Sequence, residues 1–145
     1  MEETVSLQML RKDAKIELLK RVPLFEGCSK SELQRIALLA DEIILPAGRT
    51  LTKEGERGQE FFVIVEGEVE VRRKGRLVRR LSDGDFFGEI ALVADVPRTA
   101  TVTAPGPVRV LVMTARDFRT LMKETPSLQP KVVYALAMRL PPEFQ

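Results

Sequence analysis

Phe86-Phe87-Gly88-Glu89-Ile90-Ala91-Leu92, followed after a short loop by Arg98-Thr99-Ala100, is the stretch around which the rest of the chain is read. The turn Asp83-Gly84-Asp85 delivers the chain into a short helix starting at Gly88 or Glu89. Backbone N–H groups at a helix start have no intrahelical partner and sit at the positive end of the helix dipole, so the stretch reads as an anion-binding cassette that fits a phosphate. Gly88 has no Cβ to obstruct a ligand approaching the backbone. Arg98 returns from the following loop with a planar, permanently charged fork suited to phosphate oxygens, and Thr99 adds a hydroxyl donor. A carboxylate beside a phosphate is repelled by it, so Glu89 is expected to face a different group, such as a sugar hydroxyl whose proton it accepts. Phosphate together with sugar suggests a nucleotide.

Outward from the cassette, the chain alternates short β-rich runs with Gly, Pro and Asp turns: 42–45, 50–53, 61–66, 68–73, 77–81, 99–103 and 108–113. Such spacing favours a sandwich or barrel. Phe61 to Val65 is continuously apolar, which predicts a strand buried on both faces. Lys74-Gly75 separates two alternating runs as a hairpin turn in which Gly75 takes positive φ. Residues 88–94 are the one helical break in this β series.

Helices flank it. Leu10, Ala14, Leu18 and Val22 recur at four-residue spacing, and Pro23 ends that helix. Ser29-Lys30-Ser31-Glu32 is a capping box leading into the stripe Leu33, Ile36, Ala37 and Ala40. Thr114-Ala115-Arg116-Asp117 resembles a second box, with Phe118, Leu121 and Met122 facing inward. A last helix begins near Ser127 with Pro130 in its first turn, where a missing N–H costs little. Val132, Val133, Ala135, Leu136, Ala137 and Leu140 supply its apolar positions, and Pro141-Pro142 stops it. The layout is one unit spanning 1–145: helices in 1–41, the β series in 42–113 with the cassette at 86–100, and helices in 114–140.

The 145 residues suffice for one core without disulfides or metal. Composition is ordinary for a soluble globular protein, 44% hydrophobic and 30% charged. A net charge of +2 implies no dedicated nucleic-acid surface. With no His and a single Cys, Cys28, the sequence lacks the ligands for zinc centres, His-based iron sites and iron–sulfur clusters, and the pairs for His-assisted nucleophiles. A lone Cys forms no internal disulfide, compatible with a reducing, cytoplasmic setting. The acidic start Met1-Glu2-Glu3 reads as no signal peptide, and the longest apolar runs fall far short of a membrane span.

Simpler roles stand beside these. Glu89 also serves as a first-turn acid on its helix dipole, Arg98 as a surface cation, and Thr99 as a strand residue. Arg72, Arg73, Lys74, Arg76, Arg79 and Arg80 form the densest basic cluster. It reads as a solvated hairpin rather than a nucleic-acid patch, since no aromatics are interleaved for stacking. Cys28 reads as a small loop residue, and Phe86 and Phe87 as packing beneath the cassette.

Phe87-Gly88-Glu89-Ile90-Ala91-Leu92 with Pro97-Arg98-Thr99-Ala100 closely resembles the phosphate-binding cassette of the cyclic-nucleotide-binding domain family, found in bacterial catabolite activators, kinase regulatory subunits and cyclic-nucleotide-gated channels. The resemblance runs from about Val22 to Leu140 and includes Leu45-Pro46-Ala47-Gly48, Lys53-Glu54-Gly55 and the glycine-punctuated stretch from Phe61 to Val71. It implies an α+β, mainly β fold: an eight-stranded antiparallel β-roll, jelly-roll-like (a double-stranded β-helix), with flanking helices and a short phosphate-binding helix. It further implies that Arg98 is counter-ion to a cyclic phosphate, that Gly88, Ala100 and cassette N–H groups are neutral donors, that Thr99 bonds the phosphate, and that Glu89 accepts from the ribose 2′-hydroxyl. Ile90, Ala91 and Leu92 would line or support the pocket, and Val71 would touch the base. The implied ligand is a cyclic nucleotide monophosphate, cyclic AMP over cyclic GMP, with no cofactor.

The implied role is that of a regulatory sensor, not an enzyme. It would reposition its terminal helices against an effector domain or partner protein, without binding nucleic acid through this chain alone. Three other readings stand: a same-fold interaction module that binds no cyclic nucleotide, the truncated sensor domain of a transcription regulator, and a cupin-like enzyme, which the absence of His opposes. The departure from the family is Pro141-Pro142, where many members continue the last helix.

Overall fold

The computed structural model describes residues 14–139. Leu10 of the first predicted helix, and Leu140 with the stop at Pro141-Pro142, lie outside them. Among the described residues the β series forms eight strands: β1 (Asp41–Leu45), β2 (Thr50–Thr52), β3 (Glu60–Glu66), β4 (Val69–Arg73), β5 (Arg76–Leu81), β6 (Phe86–Phe87), β7 (Thr101–Thr103) and β8 (Val108–Thr114). Two four-stranded sheets result, ordered β1-β8-β3-β6 and β2-β7-β4-β5, with antiparallel pairing throughout. This is the β-roll that the resemblance implies. β6 has only two residues, too few to show a period in sequence, and pairs Phe87 with Phe62 and Phe86 with Val63.

β3 explains why the sheets need both a roll interior and a helical cover. Its residues Phe61, Phe62, Val63 and Ile64 are all under 5% exposed. Phe62 and Ile64 face into the roll with Val69, Val110 and Phe87, whereas Phe61 and Val63 face the helices with Leu19, Ile36, Phe118 and Leu121. Phe62 stacks on Phe87 with ring centroids 4.7 Å apart, and Phe61 meets Phe118 at 4.6 Å. Strands buried on both faces lose the polar alternation of a half-exposed strand.

The helical layer comprises α1 (residues 14–20), α2 (Lys30–Leu39), α4 (Ala115–Glu124) and α5 (Gln129–Arg139), while α3 (Glu89–Val93) is inserted between β6 and β7. The capping box forms on α2: Ser29 Oγ accepts from the Glu32 N–H, and Glu32 accepts from the Ser29 N–H. At α4 only the Thr114 half forms, its Oγ1 accepting from the Asp117 N–H. A 3-10 turn, Pro126–Leu128, leads into α5 and leaves Pro130 in its first turn.

Two predicted helix faces are corrected. On α1 the buried residues are Ile16 and Leu19, Leu18 is half-buried and Ala14 exposed, so the contact stripe is rotated from the one read at four-residue spacing. On α5 only Val132 is fully buried, while Val133 is 57% exposed and Ala137 also faces out. That helix lies across the body on one face, through Val132, Leu136 and Arg139. The turn Lys74-Gly75 has positive φ at both residues, 52° and 78°. That is the handedness a two-residue hairpin requires, and the Lys74 N–H donates to Glu54 Oε1 at 2.9 Å.

Candidate functional site

β6 carries the chain to Gly88, whose φ of 100° and ψ of −8° form the left-handed N-cap of α3. A side chain there would be strained, and its Cβ would fall 2.8 Å from the Glu60 carbonyl oxygen and 2.9 Å from Arg98 Nη1. The requirement for glycine is therefore twofold, conformational and steric. Between α3, the loop 98–100 and the inner ends of β4 and β5 lies a cavity of about 560 Å³ of atom-free space, part of it open to solvent.

Arg98 is 7% exposed. Its Nη2 donates to the Glu60 carbonyl at 2.6 Å and its Nη1 to the Gly88 carbonyl at 3.3 Å. The main chain is fixed as well, since the Arg98 N–H donates to the Glu56 carbonyl and the Arg98 carbonyl accepts from the Gly55 N–H, both at 2.8 Å. Two of the five guanidinium N–H donors are thus engaged, and the others are left for an anion. Burial pushes the guanidinium pKa down, opposed by the charges of Glu60 and Glu89. Arginine nonetheless stays charged near neutrality.

Glu89 is 1% exposed. Its Oε1 accepts from Arg139 Nη1 at 3.0 Å, whereas its Oε2 is the one buried side-chain polar atom among the described residues with no hydrogen-bond partner. An unpaired buried acceptor costs about 1–3 kcal/mol, more when charged. A first-turn acid that merely stabilised the helix dipole would have no reason to turn into a cavity.

The cavity brings together Gly88, Glu89, Ile90, Ala91, Arg98, Thr99, Ala100 and Val71 of the predicted set. Leu92 is not among them. It packs into the helix-side core at 4% exposure, in one cluster with Phe61, Val63 and Leu111. The predicted strand from Thr99 starts instead at Thr101. Thr99 and Ala100 sit in a bend, where the Thr99 carbonyl accepts from Arg73 Nε at 3.1 Å and the Ala100 carbonyl from Thr52 Oγ1 at 3.1 Å.

Four residues escaped the sequence reading. Arg139, at the end of α5, reaches the carboxylate of Glu89 and the carbonyl of Phe86, and covers the Phe86 ring at 4.9 Å. No local pattern links residues so far apart. Gly58 packs against the Arg98 guanidinium. Arg73 and Arg79 belong to the basic cluster, read as a solvated hairpin; Arg72 and Arg80 do pair with Glu70 and Glu68 on its outer side, but Arg73 and Arg79 line the cavity. The signal for Arg79 was its place two residues before Leu81, on the same strand face.

Sheet, cassette and cavity together define a β-roll with a buried cation and a buried carboxylate in one pocket. Residues 42–125 match the family model of the cyclic nucleotide-binding domain, and the chain belongs to that family. It is 41% identical over 115 residues to a cAMP-dependent protein kinase regulatory subunit of Mycosarcoma maydis, covering 73% of this chain and 22% of that protein. It is 34% identical over 133 residues to a cGMP-dependent protein kinase of Caenorhabditis briggsae, covering 87% and 18%. The chain therefore spans about a fifth of each of these relatives. Among solved structures, the regulatory domain of Toxoplasma gondii PKA with cAMP superposes with a TM-score of 0.78 at 26% identity, covering 88% of this chain and 50% of that one. No helix of the described residues is long and apolar enough to cross a membrane.

Proposed function

We propose that this pocket binds a purine cyclic nucleotide monophosphate and that the chain is a single regulatory, non-catalytic unit whose C-terminal helix responds to the ligand. The observation that carries the reading is the pairing, in one cavity, of a buried arginine with spare donors and a buried carboxylate oxygen with no partner. The ligand's phosphate supplies an anion for Arg98, with the Thr99 hydroxyl and the backbone N–H groups of the cassette as neutral donors. The ribose 2′-hydroxyl supplies the donor that Glu89 Oε2 lacks. Val71, 8% exposed, offers an apolar contact to the base.

Helix repositioning is supported by the two ends of α5. Arg139 ties its last turn to Glu89, and Lys131 Nζ donates to the carbonyls of Pro23, Leu24 and Glu26 at 3.0, 3.2 and 2.7 Å. A hydroxyl arriving at Glu89 competes in the carboxylate's field with Arg139 and changes how firmly α5 is held. The exposed Val133, Tyr134 and Met138 on that helix then provide an apolar surface for an effector domain or partner protein.

Arg98→Ala is expected to weaken cyclic-nucleotide binding by about 1.5–3 kcal/mol, roughly ten- to a hundredfold, as measured by calorimetry. Unchanged affinity refutes the assignment of Arg98 to the phosphate, whereas absence of binding by folded wild type favours a same-fold interaction module. A 2′-deoxy cyclic nucleotide is expected to bind more weakly than its parent, and equal affinities would remove Glu89 from the ribose.

A further inference from the structure

The β4–β5 hairpin walls the cavity on its inner side, but its tip carries cations and apolar side chains into solvent together. Residues 72–80 hold six cations, whereas the hairpin's own carboxylates, Glu68 and Glu70, sit at its base. There Arg80 lies 3.5 and 3.6 Å from Glu68 and Glu70, and Arg72 donates to Glu70 at 3.2 Å. Toward the tip the cross-strand pairs are Arg72 with Leu77 and Arg73 with Arg76. Lys74 to Val78 are then five consecutive exposed residues. The side chains of Lys74 and Arg76 form no hydrogen bond or ion pair among the described residues. Beside them Leu77 is 39% and Val78 46% exposed. Glu54, the carboxylate that meets the tip, accepts from the Lys74 main-chain N–H and fixes the turn, so the tip is presented preformed.

We propose that this hairpin tip docks the chain on an anionic lipid surface, independently of what fills the cavity. Lys74 and Arg76 meet the negative headgroups, and Leu77 and Val78 enter the boundary between headgroups and acyl chains. Each Lys or Arg held close to an anionic bilayer strengthens binding about fivefold. A cation whose neighbours are apolar also loses little by leaving bulk water at that boundary, since its stem and its neighbours are covered while its charge stays at the headgroups. Other partners fit less well. β5 is a sheet edge, yet the register shift after Val71 interrupts it and arginines line it, and both features oppose the addition of a peptide strand. No aromatic residue lies between Arg72 and Arg80 to stack on a nucleic-acid base. Helix α4 exposes Arg116, Arg119 and Lys123 but no large apolar side chain, so it offers charge without anything to insert.

The test is co-sedimentation of the full chain with vesicles of phosphatidylcholine alone and of two parts phosphatidylcholine to one part phosphatidylserine. Binding is expected to the mixed vesicles only, and it should fall as salt is raised. Lys74→Gln and Arg76→Gln should each weaken it about fivefold. Leu77→Asn leaves the charge intact and should weaken it severalfold through lost apolar burial. Arg116→Gln removes the same charge from α4 and should leave binding nearly unchanged. All four side chains are exposed, and a wild-type urea midpoint shows that each variant is folded. Absence of binding to the mixed vesicles overturns the proposal. So does an Arg116→Gln loss equal to that of Arg76→Gln, which assigns the attraction to overall charge, and so does wild-type binding by Leu77→Asn, which leaves nothing inserted. Soluble polyglutamate bound as tightly as the mixed vesicles also overturns it and assigns the tip to an acidic protein.

Discussion

Gly58→Ala removes no functional group, yet it is expected to disable the pocket. A Cβ built on Gly58 lies 2.3 Å from Arg98 Nε, 2.5 Å from Cζ and 2.8 Å from Cδ. Carbon atoms cannot approach so closely, so the guanidinium has to move. It is 7% exposed and held by the Glu60 and Gly88 carbonyls, so any movement breaks one or both hydrogen bonds. Hydrogen bonds to charged groups contribute about 1.5–3 kcal/mol each. The variant should therefore lose at least about 1.5 kcal/mol of stability, and its affinity for cyclic nucleotide should fall about ten- to a hundredfold, approaching Arg98→Ala. Gly58 does not have positive φ, so backbone strain does not contribute. Gly106→Ala is the control: its Cβ meets nothing within 4 Å and its φ is not positive, so its effect should stay within about 0.5 kcal/mol. Urea denaturation and calorimetric titration of the two variants provide the comparison. A Gly58→Ala protein with wild-type affinity would refute the claim that Arg98, in the position described, is what the ligand binds.

Two further outcomes follow from buried groups. Arg139→Ala leaves the Glu89 carboxylate buried without its one partner, a loss of about 3–5 kcal/mol for a broken buried pair. The lower end applies because the Arg139 side chain retains 15% exposure. Adding Glu89→Gln should restore most of that stability, and wild-type stability of the single variant in urea would show that the pair holds nothing in place. The Cys28 thiol is pushed up in pKa by burial and by nearby Glu32, against the opposing effects of Lys131 and Ser127. Since the thiolate is the nucleophile, alkylation by iodoacetamide at about pH 8 should be severalfold slower in the folded chain than in urea; equal rates would contradict this.

What the sequence revealed and what it hid follow the range of the interactions involved. The capping box at Ser29, the hairpin at Lys74-Gly75 and the glycine before Glu89 are local, each set by the conformation of a few adjacent residues, and each forms as read. The double burial of β3 was legible because a strand covered on both faces carries no polar alternation. The partners of the site were not legible. Arg98 is held by carbonyls of Glu60 and Gly88, and Glu89 by Arg139, contacts that tertiary packing creates between residues 10 to 50 positions apart. The side of α3 on which Leu92 falls, and the stripe by which α1 and α5 touch the body, depend on small rotations that several apolar residues permit equally. Arg79 lay between these cases. Its composition suggested a solvated cluster, but its pairing with Val71 turns it inward, and register is visible only once β4 and β5 are aligned.

The central claim is tested most directly by calorimetric titration of nucleotide-stripped protein with cyclic AMP and cyclic GMP, with 5′-AMP as a control lacking the cyclic phosphate. The account predicts saturable binding of a cyclic nucleotide in the micromolar range, little or no heat with 5′-AMP, and a marked loss of affinity in Arg98→Ala. Absence of heat with both cyclic nucleotides, from protein shown to be folded, would contradict it and would mean that the buried Arg98 and Glu89 serve another ligand or a protein partner.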